Sequence, residues 1–267
     1  MNCVFYCAYL PYLTDKTHHN QESFSQLYYS LKTLYETGYD KGVFLYYDAD
    51  VDVNDFVYKE KYNLTRDFKN LICVKFKYKE WDKTETAFHK WHALMAFSKN
   101  FAFNRVLCID NDTVFNKNPE HLFTHYSDPN VFYGVRYKWL DLDPVQKQIG
   151  MKGPSLNTGQ YIISRQIINS LGVDFLNDLL REYYKFQLLT SQYQPENKNS
   201  IKWLGEEQAA TKVLENKNIL IEQLSDEHVT ISKIQKTSTL CHYYSCNTKK
   251  IIPVEYWSEF TKNRNDN

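Results

Sequence analysis

Apolar positions along the first 115 residues switch between two periods. Residues 3–9 form a short apolar run of the kind a buried strand shows. Over 21–36, Phe24, Leu27, Tyr28, Leu31, Leu34 and Tyr35 recur at helical spacing before Gly38, which predicts a helix with a glycine stop. KGVFLYYDAD (41–50) and LICVKFKY (71–78) read as strands, the first ending in acid, and 54–70 between them is expected to be helical. TAFHKWHALMAFSKNF (86–101) predicts a further helix, with Phe88, Trp91, Met95 and Phe97 among its apolar residues, leading into a strand at 105–110. Strand and helix alternate, the pattern of a mostly parallel sheet with crossover helices. Ligands of such sheets sit beyond the carboxyl ends of the strands, where Asp48, Asp110 and Asp112 fall.

After Pro119 the pattern loosens. VFYGVRY (131–137) and GQYIIS (159–164) read as strands, 166–188 as a helix and TSQYQPENKNS (190–200) as a polar loop. A second helix is expected over 206–216, with LIEQL (220–224) and STLCHYY (238–244) as short strands, before a polar, frayed tail. With no internal repeat and no linker, residues 1–267 read as a single domain.

Composition narrows the class. A chain of 267 residues, 43% hydrophobic and 24% charged, can bury a substantial core and reads as an ordinary globular protein. Thirty-two basic and 32 acidic side chains balance, so nothing calls for nucleic acid as a partner. No apolar run approaches the roughly 20 residues of a membrane helix. MNCVFYCAYLPYL at the N-terminus has no basic segment and reads as a strand rather than a signal peptide; the expected location is cytoplasmic. Cysteines at 3, 7, 73, 108, 241 and 246 lack paired zinc spacing and are expected to be buried free thiols. The sequons Asn63-Leu64-Thr65 and Asn111-Asp112-Thr113 are weak signals for a glycan.

The candidate chemistry lies in RVLCIDNDTVFNKNP (105–119), where an apolar strand runs into Asp110-Asn111-Asp112. Two carboxylates one residue apart at a strand end make a solvated turn, a divalent-cation clamp, or the nucleophile and general acid of a haloacid-dehalogenase-like phosphatase. The last reading makes Asp110 the nucleophile. It needs a later Gly-Asp followed by acids after an apolar strand, and none is found downstream.

The stretch from Thr86 to Phe123 resembles the central segment of glycogenin-like glycosyltransferases: a helix with Lys90, an apolar strand, Asp-x-Asp-Thr, then an Asn/Pro stretch before Leu-Phe. LNTGQYIIS (156–164) is similar to the family's Asn-Ser/Thr-Gly strand, WLGEEQAATKVL (203–214) to its Asp-Gln segment, and TLCHYYSCNTKK (239–250) to its closing His-aromatic stretch. The resemblance implies an α/β fold of the GT-A type, a Rossmann-like nucleotide-binding sheet with helices on both faces and a mixed acceptor-side extension. The nucleotide-sugar half would cover about 1–118, the acceptor half 119–255 and the polar tail 256–267.

It further implies transfer of a sugar from a nucleotide diphosphate donor, a UDP-hexose, to a glycan, protein or small-molecule acceptor with retention of configuration. Asp110, Asp112 and His242 would hold Mn2+ or Mg2+, with Asn111 beside the donor. Lys90 and Lys249 would offset phosphate charge. Asn157, Thr158 and Gly159 would contact the donor, and Glu207 and Gln208 would serve near the reacting sugar. Ala8, Tyr9 or Tyr12 would face the nucleobase. The chain departs from the family where Glu207 replaces its Asp and Ser245 its Gly, where Lys249 is one residue late, where Trp91 follows Lys90 directly, and in an N-terminal strand without the Thr-rich end. A non-catalytic nucleotide-sugar or glycan-binding module is the remaining alternative.

Each residue also has a structural reading. Lys90 would be solvated, Asn157 a turn former, His242 a core histidine, and Glu206-Glu207 charge at a helix N-terminus. His18-His19 reads as loop. Tyr137, Trp139 and Trp203 would pack in the core or line an acceptor groove.

Overall fold

The computed structural model of the chain describes residues 1–15, 20–77, 88–136, 144–193, 198–231, 236–243 and 252–256. Its main sheet has seven strands in the order β3-β2-β1-β4-β7-β6-β8. These are β1 (Asn2–Leu10), β2 (Val43–Ala49), β3 (Leu71–Lys75), β4 (Arg105–Ile109), β6 (Val131–Arg136), β7 (Leu156–Ser164) and β8 (Leu220–Gln223). A second sheet has the order β5-β10-β9, from Thr113–Phe115, Leu240–His242 and Val229–Ile231. By contacts, Asn2–Tyr78, Leu107–Ser127 and Ser225–Asn267 form one compact group; Met1, Lys79–Val106 and Asp128–Leu224 form the other.

In the first group β1, β2 and β3 are parallel, with Val4 opposite Val43 and Val43 opposite Leu71. Strands β1 and β2 are buried along nearly their whole length, which is why they read as continuous apolar runs rather than as alternation. Helix α1 (Asn20–Glu36) buries Phe24, Leu27, Leu31 and Leu34, the residues whose spacing predicted it. Two buried hydroxyls tie it down: Ser30 hydrogen-bonds the Tyr6 hydroxyl at 2.9 Å, and Thr33 accepts the Phe115 N–H of β5 at 3.1 Å.

The helix expected over 54–70 is absent except for one turn, α2 (Leu64–Asp67). The Asp52 carboxylate accepts the Asn54 N–H at 2.9 Å and the Tyr47 hydroxyl at 2.8 Å, which starts a turn. Lys59 and Glu60 then adopt positive φ, and Tyr58 bridges back to Tyr62. Aromatic packing outweighs helix propensity here. Tyr62 lies 4.9 Å from Tyr28 and 5.0 Å from Tyr256, which belongs to a short 3-10 turn at Val254–Tyr256. Asn63 caps α2: its Oδ1 accepts the Arg66 N–H at 2.8 Å, and its Nδ2 donates to Asn54 O at 2.8 Å and Phe56 O at 3.0 Å.

In the second group β6 runs antiparallel to β7 and parallel to β8. Helix α3 (His89–Asn100) buries Trp91, whose ring stacks on Tyr161 at 5.1 Å; Tyr161 in turn stacks on Phe132 at 5.1 Å. The helix expected over 166–188 is two helices, α6 (Arg165–Leu171) and α7 (Phe175–Tyr193), broken at Gly172 with φ 76 and ψ 176. The loop expected at 190–200 is partly helical. Helix α7 continues to Tyr193 and α8 (Lys198–Asn216) begins at Lys198, so the expected 206–216 helix starts earlier. Thr190 is accommodated because its hydroxyl donates to Phe186 O one turn back at 2.8 Å. Helices α7 and α8 approach closely at Gly205, where an added Cβ would lie 2.6 Å from the Tyr183 ring. Two short helices, α4 (Glu120–His125) and α5 (Pro144–Gln148), complete the elements, α4 in the first group and α5 in the second.

Cys3, Cys7, Cys73, Cys108 and Cys241 are free thiols; Cys3, Cys108 and Cys241 are buried as expected, whereas Cys7 and Cys73 are half-buried, and desolvation pushes Cys3 and Cys73 up to about 12. Cys246, His18, His19, Tyr137, Trp139 and the residues after Tyr256 lie outside the described residues. No described helix is long and apolar enough to cross a membrane.

Gly172 gives a direct test. Its backbone conformation is open almost solely to glycine. Gly172→Ala is expected to lower stability by about 1–3 kcal/mol, read as a fall in the urea midpoint.

Candidate functional site

Asp110 and Asp112 follow β4, and β5 begins one residue later at Thr113. Strand β10 pairs antiparallel with β5 and sets His242 opposite Thr113. The Tyr243 N–H donates to Asp112 O at 2.9 Å, which extends the pairing by one step. His242 therefore arrives beside Asp112 from the far end of the sequence. Its Nε2 lies 2.9 Å from Asp112 Oδ1, with the imidazole buried and the carboxylate half-buried. One ligand atom from each of Asp110, Asp112 and His242 lies within 4.8 Å of the others.

These three residues fit a divalent cation. Ligands about 2.1–2.5 Å from one ion lie within roughly 4–5 Å of each other. Two carboxylates with one imidazole are a hard set with a borderline member, suited to manganese or magnesium. Asn111, half-buried between the aspartates, has an Oδ1 with no protein hydrogen bond. Burial first, and then the Asp112 carboxylate, raise the Tyr243 phenol well above its ordinary value, so that neighbour stays neutral.

The remaining predicted residues gather on β7, α3 and α8. Across β6 and β7 the register jumps. Gly134 faces Tyr161 while Val135 faces Asn157, so Thr158, Gly159 and Gln160 bulge out of the ladder. A bulge strands backbone groups that must find other partners. Here side chains supply them. Glu207 Oε1 accepts the Thr158 N–H at 3.2 Å and Asn157 Nδ2 at 3.3 Å, and Asn157 Oδ1 accepts the Gly159 N–H at 3.0 Å. Lys90 Nζ donates to Thr158 O and Oγ1, both at 3.1 Å. The Thr158 hydroxyl donates to Glu206 Oε2 at 2.7 Å, and the other Glu206 oxygen accepts the Trp91 indole N–H.

Lys90 is thus bound to β7 rather than solvated, and Asn157 does more than form a turn. Glu206 and Glu207 sit in the middle of α8, buried, and not at a helix N-terminus; burial against Trp91, Asn157 and Thr158 accounts for them. Gln208 lies beside them, also buried. Glu206 is the residue that sequence reasoning passed over. An acid in an apolar-flanked stretch, one position before the family's acidic site, was the available signal. Ala8 is buried in β1, whereas Tyr9 and Tyr12, near its carboxyl end, are 42% and 59% exposed and can meet a ligand. Lys249 and Ser245 lie outside the described residues, as does the Trp203 side chain.

The sheet order, with acidic residues directly after β4, defines a class: the chain has the GT-A fold of glycosyltransferases. Two solved structures carry the likeness. Mouse xyloside xylosyltransferase 1 in its apo form is 13% identical, with a TM-score of 0.55 over 94% of this chain and 99% of that one. The galactosyltransferase LgtC, solved with donor and acceptor sugar analogues, is 12% identical, with a TM-score of 0.51 over 100% of this chain and 96% of that one. At these identities the likeness is one of fold. No family model and no curated protein sequence matches the chain. The resemblance to glycogenin-like transferases, read from four motifs, is consistent with this fold.

Glu206 holds two buried donors, each costing about 1–3 kcal/mol if left without an acceptor. Glu206→Ala is therefore expected to destabilise by at least about 2 kcal/mol and Glu206→Gln by less, measured by urea unfolding of the two variants side by side.

Proposed function

We propose that the protein is a metal-dependent glycosyltransferase that moves a hexose from a UDP-sugar to an acceptor hydroxyl with retention of configuration. The observation that carries the reading is the convergence of Asp110, Asp112 and His242 at a strand end of a GT-A fold. These residues would hold manganese or magnesium, which supplies Lewis-acid neutralisation of the diphosphate leaving group.

The chain's own residues do the rest. Asn157 and Glu207, joined to each other and to the β7 bulge, fix a rigid wall for the donor sugar, and Gln208 completes it. Rigidity matters because orientation accounts for much of the rate in a transfer between bound partners. Lys90, anchored through Thr158, places a positive charge by this wall, and Lys249 would offset phosphate charge as the family resemblance implies. Tyr9 and Tyr12 offer exposed rings for the base. Glu207 is one methylene longer than the family's Asp, and part of that length is used in reaching the Thr158 N–H.

The test is release of UDP from UDP-hexoses in manganese. It is expected to require the ion and to fall at least about a hundredfold in Asp112→Ala, since several kcal/mol of charge stabilisation depends on the metal. With an acceptor in hand, NMR of the product is expected to show the donor's anomeric configuration. Phosphate release from simple esters would instead indicate a phosphatase, and donor binding without turnover a binding module.

A further inference from the structure

A polar cavity of about 380 Å³ is lined by Lys117, His121, Glu227, His228, Thr237 and Thr239. It lies at the opposite end of the small sheet from the acidic group. Strand β5 pairs Thr113 with His242 at one end and Phe115 with Leu240 at the other, and Asn116 and Lys117 continue onto Thr239 O. At about 3.4 Å per residue, roughly 7 Å separates the two ends of this pairing.

Protein partners fix the imidazoles. His121 Nδ1 lies 2.8 Å from Asn118 O and carries the proton given to that carbonyl; Nε2 lies 3.0 Å from the Thr239 hydroxyl, which donates to it. His228 Nδ1 lies 2.7 Å from the Tyr126 hydroxyl. That hydroxyl already accepts the Ser225 N–H at 2.9 Å, so its own proton goes to the imidazole and leaves Nε2–H of His228 as a donor. With these nitrogens engaged, the rings do not converge on a metal.

The charge is lopsided. Around His228 stand the His125 ring at 4.8 Å, the His121 ring at 5.5 Å and the Lys117 ammonium, whose Nζ also donates to Thr237 O. Glu227 is the one carboxylate among the six lining residues. Burial first, then His125 and His121, hold His228 below its ordinary value, with Glu227 opposing and Lys117 adding. Protonating it crowds positive charge that an anion would relieve.

We propose that this cavity is a binding site for a tetrahedral dianion of the phosphate class, held by the Lys117 ammonium, the Thr237 hydroxyl and the His228 imidazole. Binding draws a proton onto His228. Affinity therefore rises as the pH falls through the histidine range, about 6.5 and below. A soluble phosphomonoester and a phosphate-bearing lipid headgroup share this chemistry. The site is independent of the sugar-transfer reading, and its test involves no turnover.

Sulfate, a dianion across the whole range, is the probe. Calorimetry on the full chain is expected to show binding several-fold tighter near pH 5.5 than near pH 7.5, one pKa unit of linkage setting a ceiling of about tenfold. His228→Gln is expected to abolish that gain, and Lys117→Met to weaken binding at both pH values. Equal affinity at the two pH values, or unchanged affinity in both variants, overturns the proposal. NMR of the wild-type protein decides without any variant: sulfate moves the His228 titration midpoint upward if the site exists and leaves it in place if it does not. Competition by glycerol phosphate assigns the site to soluble monoesters. Co-sedimentation with phosphatidic-acid vesicles, lost in both variants, assigns it to a headgroup.

Discussion

The β7 bulge imposes the constraint that organises its half of the molecule. Three consecutive residues leave the ladder in a strand that is buried along its whole length. Their backbone groups have no water to turn to, and a buried amide without a partner costs more than most side-chain contacts return. The side chains that meet this need are ones singled out for chemistry. Asn157, Glu207 and Lys90 hold the bulge, and Glu206 locks Thr158 to Trp91. The aromatic stack of Trp91, Tyr161 and Phe132 then fixes α3 and β6 against the same strand. Structural necessity and proposed donor recognition share one set of atoms, so a substitution at any of them moves both.

The acidic group depends on a much smaller device. Two three-residue strands, β5 and β10, carry His242 to Asp112, and one further hydrogen bond from Tyr243 closes the approach. Short strands are weakly stable by themselves. These are supported by Thr33 of α1, by Asn116, whose Nδ2 donates to Ser238 O, and by β9 on the other side of β10. A ligand set assembled this way has little slack, which suits a site that must accept an ion without rearranging the main sheet.

How much of this was legible follows from where each element gets its stability. Strands β1, β2 and β4 and helix α1 were readable because their own apolar residues face the core, and period reports that directly. The 54–70 region misled because its stability comes from Tyr28 and Tyr256, far away in sequence. Gly172 splits a helix whose apolar period continues through it, so the break is a backbone matter that periodicity does not register. Strands β5 and β9 are too short to show alternation. The DND stretch was visible at once, but its third partner, His242, was reached through resemblance alone. Glu206 was hidden by its neighbour, since two adjacent acids read as charge at a helix N-terminus until the Trp91 indole is seen bound to one of them.

The cap at Asn63 has a consequence for the timing of events in the chain's life. The side-chain nitrogen that an oligosaccharide would have to take is already donating to two carbonyls, Asn54 and Phe56, in a residue only 7% exposed. Attachment after folding would cost one of the two donated hydrogens and require the buried turn to open, so the folded cap shields Asn63 from that chemistry.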